Sequence, residues 1–139
     1  DSYDAVVIPG GMPGALNLAA NNDVSKRILN HYSNGKIVAA ICASPAVVFG
    51  PLGILENRRA VCYPGMEKQC PDVNFSEERV CVDANVITAR GAGCAMEFGL
   101  EIVRALFGRN FNQRGGKKIS AGAEKRGQRQ ICSDTAVLP

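Results

Sequence analysis

The sequence is poor in the side chains that most metal and acid–base sites use. Its 139 residues include a single histidine, His31, and none of its six cysteines forms a C-x-x-C pair. Structural zinc sites need several such ligands at characteristic spacings, so we predict no metal and no cofactor. His31 falls near the end of a predicted helix, a favourable place for a cation, and we expect it on the surface without a catalytic partner.

Long apolar runs and a strong net charge are also absent. No run approaches the roughly 20 residues that cross a bilayer, and no basic segment precedes an apolar one at the start, so we expect no membrane insertion. A net charge of +3 does not demand nucleic acid, and 46% hydrophobic residues suffice for a globular core. We therefore predict a soluble, cytoplasmic protein with reduced cysteines; a disulfide framework is the less favoured alternative.

Cys42 occupies the most informative position in the chain. It follows the apolar run Ile37–Ile41, which predicts a buried strand, and it precedes Ala43, Ser44 and Pro45. Proline at the first turn of a helix loses no hydrogen bond, so a helix is expected to begin there. A cysteine between a strand and a helix N-terminus is exposed at the carboxyl end of the sheet, and the helix N-terminus favours its thiolate form. The position matches that of the serine in a nucleophile elbow.

The apolar patterns around Cys42 predict an α/β domain over residues 1–108. One βαβ unit consists of a strand at residues 5–8, a helix at 23–33 capped by Asn22, and the strand before Cys42. Residues 59–62 predict a short strand, residues 80–88 a hairpin, and residues 94–107 a helix that Gly108 ends. Four apolar residues share one side of that helix and are expected to pack inward: Met96, Leu100, Val103 and Phe107.

Residues 109–139 differ in composition from the rest of the chain. They hold seven lysines and arginines against Glu124 and Asp134, four glycines and few large apolar groups. This composition predicts a basic, disordered or loosely packed tail. Nucleic-acid binding is expected only through this tail, and an ordinary solvated tail is the favoured interpretation.

Three blocks of sequence together carry a family resemblance. They are Tyr3-Asp4-Ala5-Val6-Val7-Ile8-Pro9-Gly10-Gly11, Ala39-Ala40-Ile41-Cys42-Ala43-Ser44-Pro45, and Ile87-Thr88-Ala89-Arg90-Gly91-Ala92-Gly93-Cys94-Ala95-Met96-Glu97-Phe98. In this order they resemble the ThiJ/PfpI superfamily, within the class I glutamine-amidotransferase-like fold. The most similar branch is that of the Parkinson-disease-associated protein deglycase, and the resemblance spans about residues 3–108.

The resemblance implies a fold, a site and partners. The fold would be a flavodoxin-like three-layer sandwich with a mainly parallel sheet, in a homodimer. Cys42 would be the reactive thiol, Gly11 and Ala43 would offer backbone N–H groups to an oxyanion, and Gly10 and Tyr63 would complete the substrate pocket. The substrate would be a small dicarbonyl or a glycated protein, and unfolded client proteins are further expected partners.

The chain departs from the family pattern in two ways that bear on catalysis. The family's N-terminal βα units, with a glutamate that hydrogen-bonds the thiol, have no counterpart here. Tyr63 stands where glyoxalase-active members have a histidine, and tyrosine is a poor general base at neutral pH. Three hypotheses stay open: a deglycase or glyoxalase enzyme, a redox-sensitive chaperone that needs no base, and an inactive fragment completed by a partner. Cys62, which precedes Tyr63, is considered as a resolving thiol for oxidised Cys42.

Overall fold

The computed structural model describes residues 3–114, so most of the predicted basic tail lies outside the described residues. Within residues 3–114, four strands, three α-helices and three short helical turns follow one another. In chain order they are β1 (Ala5–Ile8), α1 (Gly14–Ala19), α2 (Asn22–Ser33), β2 (Ile37–Ile41), the π-helical turn Pro45–Phe49, the 3₁₀ turn Met66–Gln69, β3 (Val80–Asp83), β4 (Val86–Ala89), the 3₁₀ turn Ala92–Cys94, and α3 (Ala95–Arg114).

The strands form one mostly parallel sheet in the order β1-β2-β4-β3. β2 pairs in parallel with β1 on one side and with β4 on the other, and Val38 is in register with both Val6 and Val86. β3 is antiparallel to β4 at one edge, as the predicted hairpin requires. The α/β, flavodoxin-like architecture predicted from the sequence is therefore confirmed.

Alternate side chains of the central strand β2 enter two separate cores. Val38 and Ala40 pack in the larger core, with residues of α1 and α2. Ile37 and Ala39 pack in the smaller one, with Phe98 of α3. Because helices cover both faces of β2, its sequence is continuously apolar rather than alternating. The result is a three-layer sandwich.

Helix α2 begins one residue earlier than predicted. Asn21, not Asn22, is the N-cap: its backbone is extended, and its side chain accepts hydrogen bonds from the backbone N–H groups of Asp23 and Val24. At the other end Gly35 takes a positive φ of 66°, which glycine adopts without strain. The βαβ unit thus follows the prediction, apart from this shift in the cap.

His31 is buried, so the expected surface position is wrong. Only 3% of the residue is exposed, and its Nδ1 lies 2.9 Å from the backbone oxygen of Arg27 on the preceding turn of α2. Its Nε2 has no hydrogen-bond partner among the described residues. The prediction placed His31 on the surface because a helix C-terminus favours a cation, whereas the packing of α2 on the sheet encloses it.

Helix α3 differs from its prediction at its end and in its orientation. It continues through Gly108 to Arg114, because a glycine in a helix weakens it without ending it. The side chains that pack on the sheet are Phe98, Ile102, Ala105 and Leu106. The four apolar residues expected inside are instead exposed: Met96, Leu100, Val103 and Phe107. The helix is apolar on two sides, so its sequence could not show which side faces the sheet.

Two further segments, residues 59–62 and the hairpin of β3 and β4, can be compared with their predictions. The stretch 59–62 forms no strand; Ala60 makes only an isolated bridge with Phe75. The hairpin turns at Ala84, with a φ of 53°, and Asn85 donates from its side chain to the backbone oxygens of Tyr32 and Lys36. This amide ties the hairpin to the connection between α2 and β2.

Candidate reactive-cysteine site

Cys42 lies in a strained turn, residues 42–44, at the carboxyl end of β2. Its φ of 66° is uncommon for any residue other than glycine, and such strain persists only where neighbours hold it. The neighbours are visible: the Cys42 N–H donates to the backbone oxygen of Ala89 at 2.9 Å, and its carbonyl accepts from the N–H of Tyr63 at 2.8 Å. The backbone of Cys42 is therefore fixed from both β4 and the 60–63 segment.

The loop after β1 packs directly behind Cys42. A Cβ atom at Gly10 would lie 2.5 Å from Cβ of Cys42 and 2.9 Å from the backbone oxygen of Ile41, so no other residue fits there. The buried Ser44 hydroxyl donates to the carbonyl of Pro9 and joins the same two loops. Cys42 itself is a partly exposed residue.

Two backbone N–H groups near Cys42 are left available. Among the hydrogen bonds of residues 3–114, none takes its donor from the N–H of Gly11 or of Ala43. Gly11 has a φ of 90°, and its carbonyl accepts from the N–H of Ala15 at the start of α1. Both residues follow strand ends, β1 and β2, that are neighbours in the sheet. Their predicted oxyanion role is taken up below as a proposal.

Tyr63 stands beside the Cys42 turn. Its backbone N–H bonds the Cys42 carbonyl, its side chain is 51% exposed, and a Cβ atom at Gly91 would come within 3.3 Å of its ring. The glycine leaves room for the ring beside the start of the 3₁₀ turn before α3. The structure thus brings all five residues that the sequence singled out to the same edge of the sheet: Gly10, Gly11, Cys42, Ala43 and Tyr63.

Two buried thiols lie behind this site, and sequence reasoning missed one of them. Cys62 and Cys70 pack together around Ala46, and Cys70 Sγ donates to the Ala46 carbonyl at 3.0 Å. Burial, followed by the nearby Glu67 carboxylate, raises the pKa of Cys62 to about 12. Burial also raises the pKa of Cys70. The irregular sequence around Cys70 gave no signal of this packing.

His31 and Glu97 are both held by contacts within the described residues. His31 lies near the opposite end of β2, since its carbonyl accepts from the N–H of Lys36 just before that strand, and five strand residues span about 15 Å. Glu97 pairs with Arg79 at 2.8 Å, a contact that lowers the pKa of Glu97. Within residues 3–114, no three His, Cys, Asp or Glu side chains are grouped to hold a metal.

The described helices are also unsuited to a bilayer. Across residues 3–114, none combines the length and the apolar character that a membrane span requires.

An α/β sandwich with a strained, partly exposed cysteine between a parallel strand and a helical turn defines a class of thiol-bearing flavodoxin-like proteins. The profile of the DJ-1/PfpI family matches residues 1–105. The chain belongs to this family, and the predicted superfamily membership is confirmed.

Individual relatives support the same assignment. The chain is 41% identical over 109 residues to "Protein DJ-1 homolog B" of Arabidopsis thaliana, an alignment that covers 78% of this chain and 25% of that protein. It is 37% identical over 109 residues to "Parkinson disease protein 7 homolog" of Danio rerio, covering 76% of this chain and 57% of that protein. The chain thus spans well under two thirds of these relatives.

A solved structure shows the same fold. "Toxoplasma gondii DJ-1, oxidized" superposes with a TM-score of 0.73 at 38% identity, over 81% of this chain and 61% of that one.

Proposed function

We propose that Cys42 is the nucleophile of a dicarbonyl-reactive, redox-sensitive thiol site. The observation that carries the proposal is the strained turn: Cys42 is held at a φ of 66° by hydrogen bonds from two directions, yet the residue stays partly exposed. A structural cysteine needs no such backbone, because a small buried thiol packs well in ordinary conformations. Strain of this kind concentrates at functional sites.

The proposed first step is addition to the aldehyde of methylglyoxal, either free or released from a glycated protein. The Cys42 thiolate forms an S–C bond to the carbonyl carbon, and the electron pair of the C=O bond moves to oxygen. The N–H groups of Gly11 and Ala43, which have no acceptor among the described residues, would donate to that oxyanion. A proton from water then gives a neutral hemithioacetal.

The second step limits the proposed enzyme. Conversion of the hemithioacetal to a lactate thioester moves hydrogen from one carbon to its neighbour, and this needs a base; water then releases lactate and the thiol. Tyr63 is a titratable residue whose backbone N–H bonds the Cys42 carbonyl, and a tyrosine is a weak base at neutral pH. We therefore propose slow turnover rather than efficient glyoxalase catalysis.

Lactate production from methylglyoxal tests the proposal. We expect lactate above the uncatalysed background for the chain, and background alone for Cys42→Ser. Cys81→Ala, a change in β3 at the far edge of the sheet, is the matched control and should keep the activity. Native mass spectrometry of the chain mixed with methylglyoxal, which detects the hemithioacetal as an added mass, separates addition from turnover. Adduct formation equal in Cys42→Ser and the unchanged chain would contradict the proposal.

A redox-dependent chaperone without turnover is the second candidate. It is favoured by the same shortage of a base at Cys42. In this function peroxide oxidises Cys42, and the protein holds unfolded clients. The test measures suppression of client aggregation with and without prior peroxide treatment, in the unchanged chain and in Cys42→Ser. Suppression of aggregation that depends neither on peroxide nor on Cys42 would argue against this candidate.

A further inference from the structure

Arg90 differs from four other arginines of the chain, because no carboxylate within residues 3–114 forms an ion pair with it. The four that do form ion pairs are Arg58, Arg59, Arg79 and Arg104. Arg90 is partly buried, and its side chain donates to the backbone oxygen of Glu77 at 2.9 Å. A guanidinium stays charged at every physiological pH, so this one is a fixed positive charge that lacks a counter-ion among the described residues.

The sheet register places Arg90 beside Cys42. Ile41 of β2 is in register with Ala89 of β4. Cys42 and Arg90 are therefore the next residues along these two parallel strands. The N–H of Arg90 continues the ladder, since it donates to the carbonyl of Arg79 at 3.0 Å. Neighbouring strands lie about 4.8 Å apart, so the two backbones are close at the carboxyl end of the sheet.

Two observations place the Arg90 side chain on the side of the sheet that Val61 and Cys62 cover. Thr88 precedes Arg90 by two residues, and its Oγ1 accepts from the N–H of Val61 at 3.0 Å. Residues two apart along a strand share a face. In addition, burial and the Glu67 carboxylate raise the pKa of Cys62, and the charge of Arg90 acts against them. The guanidinium therefore lies beside the candidate site.

The thiol of Cys42 and the side chain of Arg90 lie on two different sides of β2. Cys42 Sγ is on the β1 side, where it lies 3.3 Å from the position that a Cβ atom of Gly10 would take. Arg90 follows β4, which is the neighbour of β2 on the other side. A ligand that contacts both groups must therefore carry its carbonyl and its anionic group at separate ends.

We propose that Arg90 binds the carboxylate of an α-oxoaldehyde whose aldehyde adds to Cys42. This inference rests on the proposed thiol chemistry and specifies its substrate, a dicarbonyl with a carboxylate at its far end. The fork of N–H groups on a guanidinium matches the two oxygens of a carboxylate. The bond to Glu77 uses Nη1, whereas Nε and Nη2 donate to no acceptor within residues 3–114. The addition itself is unchanged: the S–C bond forms, the C=O electron pair moves to oxygen, and water supplies the proton.

A matched pair of aldehydes tests the proposal. The probes are 4,5-dioxovalerate, whose carboxylate lies four carbon–carbon bonds from the aldehyde, and its methyl ester, which lacks the charge. Protection of Cys42 from iodoacetamide, followed by peptide mass in short exposures, gives an apparent dissociation constant for each probe. The same spectra verify that no arginine has reacted, and N-acetylcysteine corrects for the intrinsic reactivity of each aldehyde. We expect the acid to bind about 10-fold more tightly than the ester, and added salt to reduce this ratio.

Three variants then test which residue causes the preference. Arg90→Gln removes the charge and keeps an amide that can donate to the Glu77 carbonyl, and it should lower the acid-to-ester ratio to about one. Arg90→Lys keeps the charge without the fork and should retain part of the preference. Arg59→Gln is the matched control, because the N–H of Arg59 bonds Asp83 at the other end of the sheet, and it should leave the ratio unchanged. Circular dichroism establishes that all three variants are folded.

The ratio separates recognition of an anion from a structural role of Arg90. An arginine that only fixes the backbone at Glu77 predicts that Arg90→Gln weakens the acid and the ester equally. That result, or equal affinity of the unchanged chain for both probes, overturns the inference and leaves the thiol chemistry standing.

Failure of the proposed function gives a different result, in which neither probe protects Cys42. Levulinate then tests Arg90 alone, because it keeps the carboxylate and has no aldehyde. Its binding is followed by the NMR signal of the Arg90 Nε–H group, identified by its loss in Arg90→Gln. A shift of this signal in both the unchanged chain and Cys42→Ser supports the anion site. The absence of a shift at millimolar levulinate overturns it.

Discussion

Cys42 and Cys70 are each packed against a glycine, but the two residues differ in exposure to solvent. Gly10 abuts Cys42, and Gly50 abuts Cys70 so closely that a Cβ atom there would lie 2.0 Å from the sulfur. Cys42 is partly exposed and has a strained backbone. The Cys70 thiol is buried and donates to the Ala46 carbonyl.

The difference teaches how to separate a reactive thiol from a structural one. Close packing alone does not distinguish them, since both sites are tight. The backbone does, because positive φ is retained at Cys42 although it costs free energy, whereas Cys70 keeps a negative φ of −137°. Exposure agrees with the backbone. We therefore expect chemical reactivity at Cys42 and a packing role at Cys70 and its neighbour Cys62.

Alkylation rates should show the largest contrast. With a pKa of about 12, only roughly one Cys62 thiol in ten thousand is ionised at pH 8. We expect iodoacetamide to label Cys42 about 1,000-fold faster than Cys62 in the folded chain, as followed by peptide mass over time. Labelling in denaturant is the control and should bring the two rates together. Comparable rates in the folded chain would remove the distinction.

Alanine at the two glycines should separate reactivity from stability. Gly50→Ala forces a methyl group against Cys70 and the Ala46 carbonyl, and Gly10→Ala forces one against Cys42. We expect each to lower the free energy of unfolding by about 1–3 kcal/mol, measured by urea titration. Only Gly10→Ala should also change the labelling rate of Cys42. A Gly50→Ala chain with altered Cys42 labelling would show that the two regions are coupled.

The product of peroxide oxidation should show whether the buried Cys62 reacts with oxidised Cys42. Attack on a sulfenic acid at Cys42 requires the Cys62 thiolate, which is scarce, so further oxidation of Cys42 should win. We expect the sulfinic acid of Cys42, a gain of two oxygen atoms, to exceed the Cys42–Cys62 disulfide about tenfold in intact mass spectra. Cys62→Ala should give the same main product. A dominant disulfide would instead establish Cys62 as a resolving thiol.

The sequence predicted the strands around Cys42 better than it predicted the surfaces of the helices. Apolar runs bounded by glycine and proline located β1 and β2, and the strand-to-proline step located Cys42, because these signals are local. The burial of His31 and the orientation of α3 depend on which side of a helix meets the sheet, which no local pattern determines. The Cys70 packing depends on an irregular loop folding back onto the turn after Cys42, a long-range contact that the sequence does not encode in any period.

The smallest expected effect is a fall in the stability of the protein as pH rises, which the buried thiols cause. Burial raises the pKa of Cys62 to about 12 and also raises that of Cys81, whereas thiols of the unfolded chain ionise near their ordinary pKa of about 8.5. Above that ordinary pKa the unfolded chain releases protons that the folded chain keeps, so stability should fall as pH rises toward 12. Urea midpoints between neutral pH and about pH 10 measure this fall. Cys62→Ala should make the urea midpoint depend less on pH. Val61→Ala, at the adjacent buried residue, is the control and should lower the midpoints equally at every pH. An unchanged pH dependence in Cys62→Ala would mean that the Cys62 thiol ionises as readily in the folded chain as in the unfolded one.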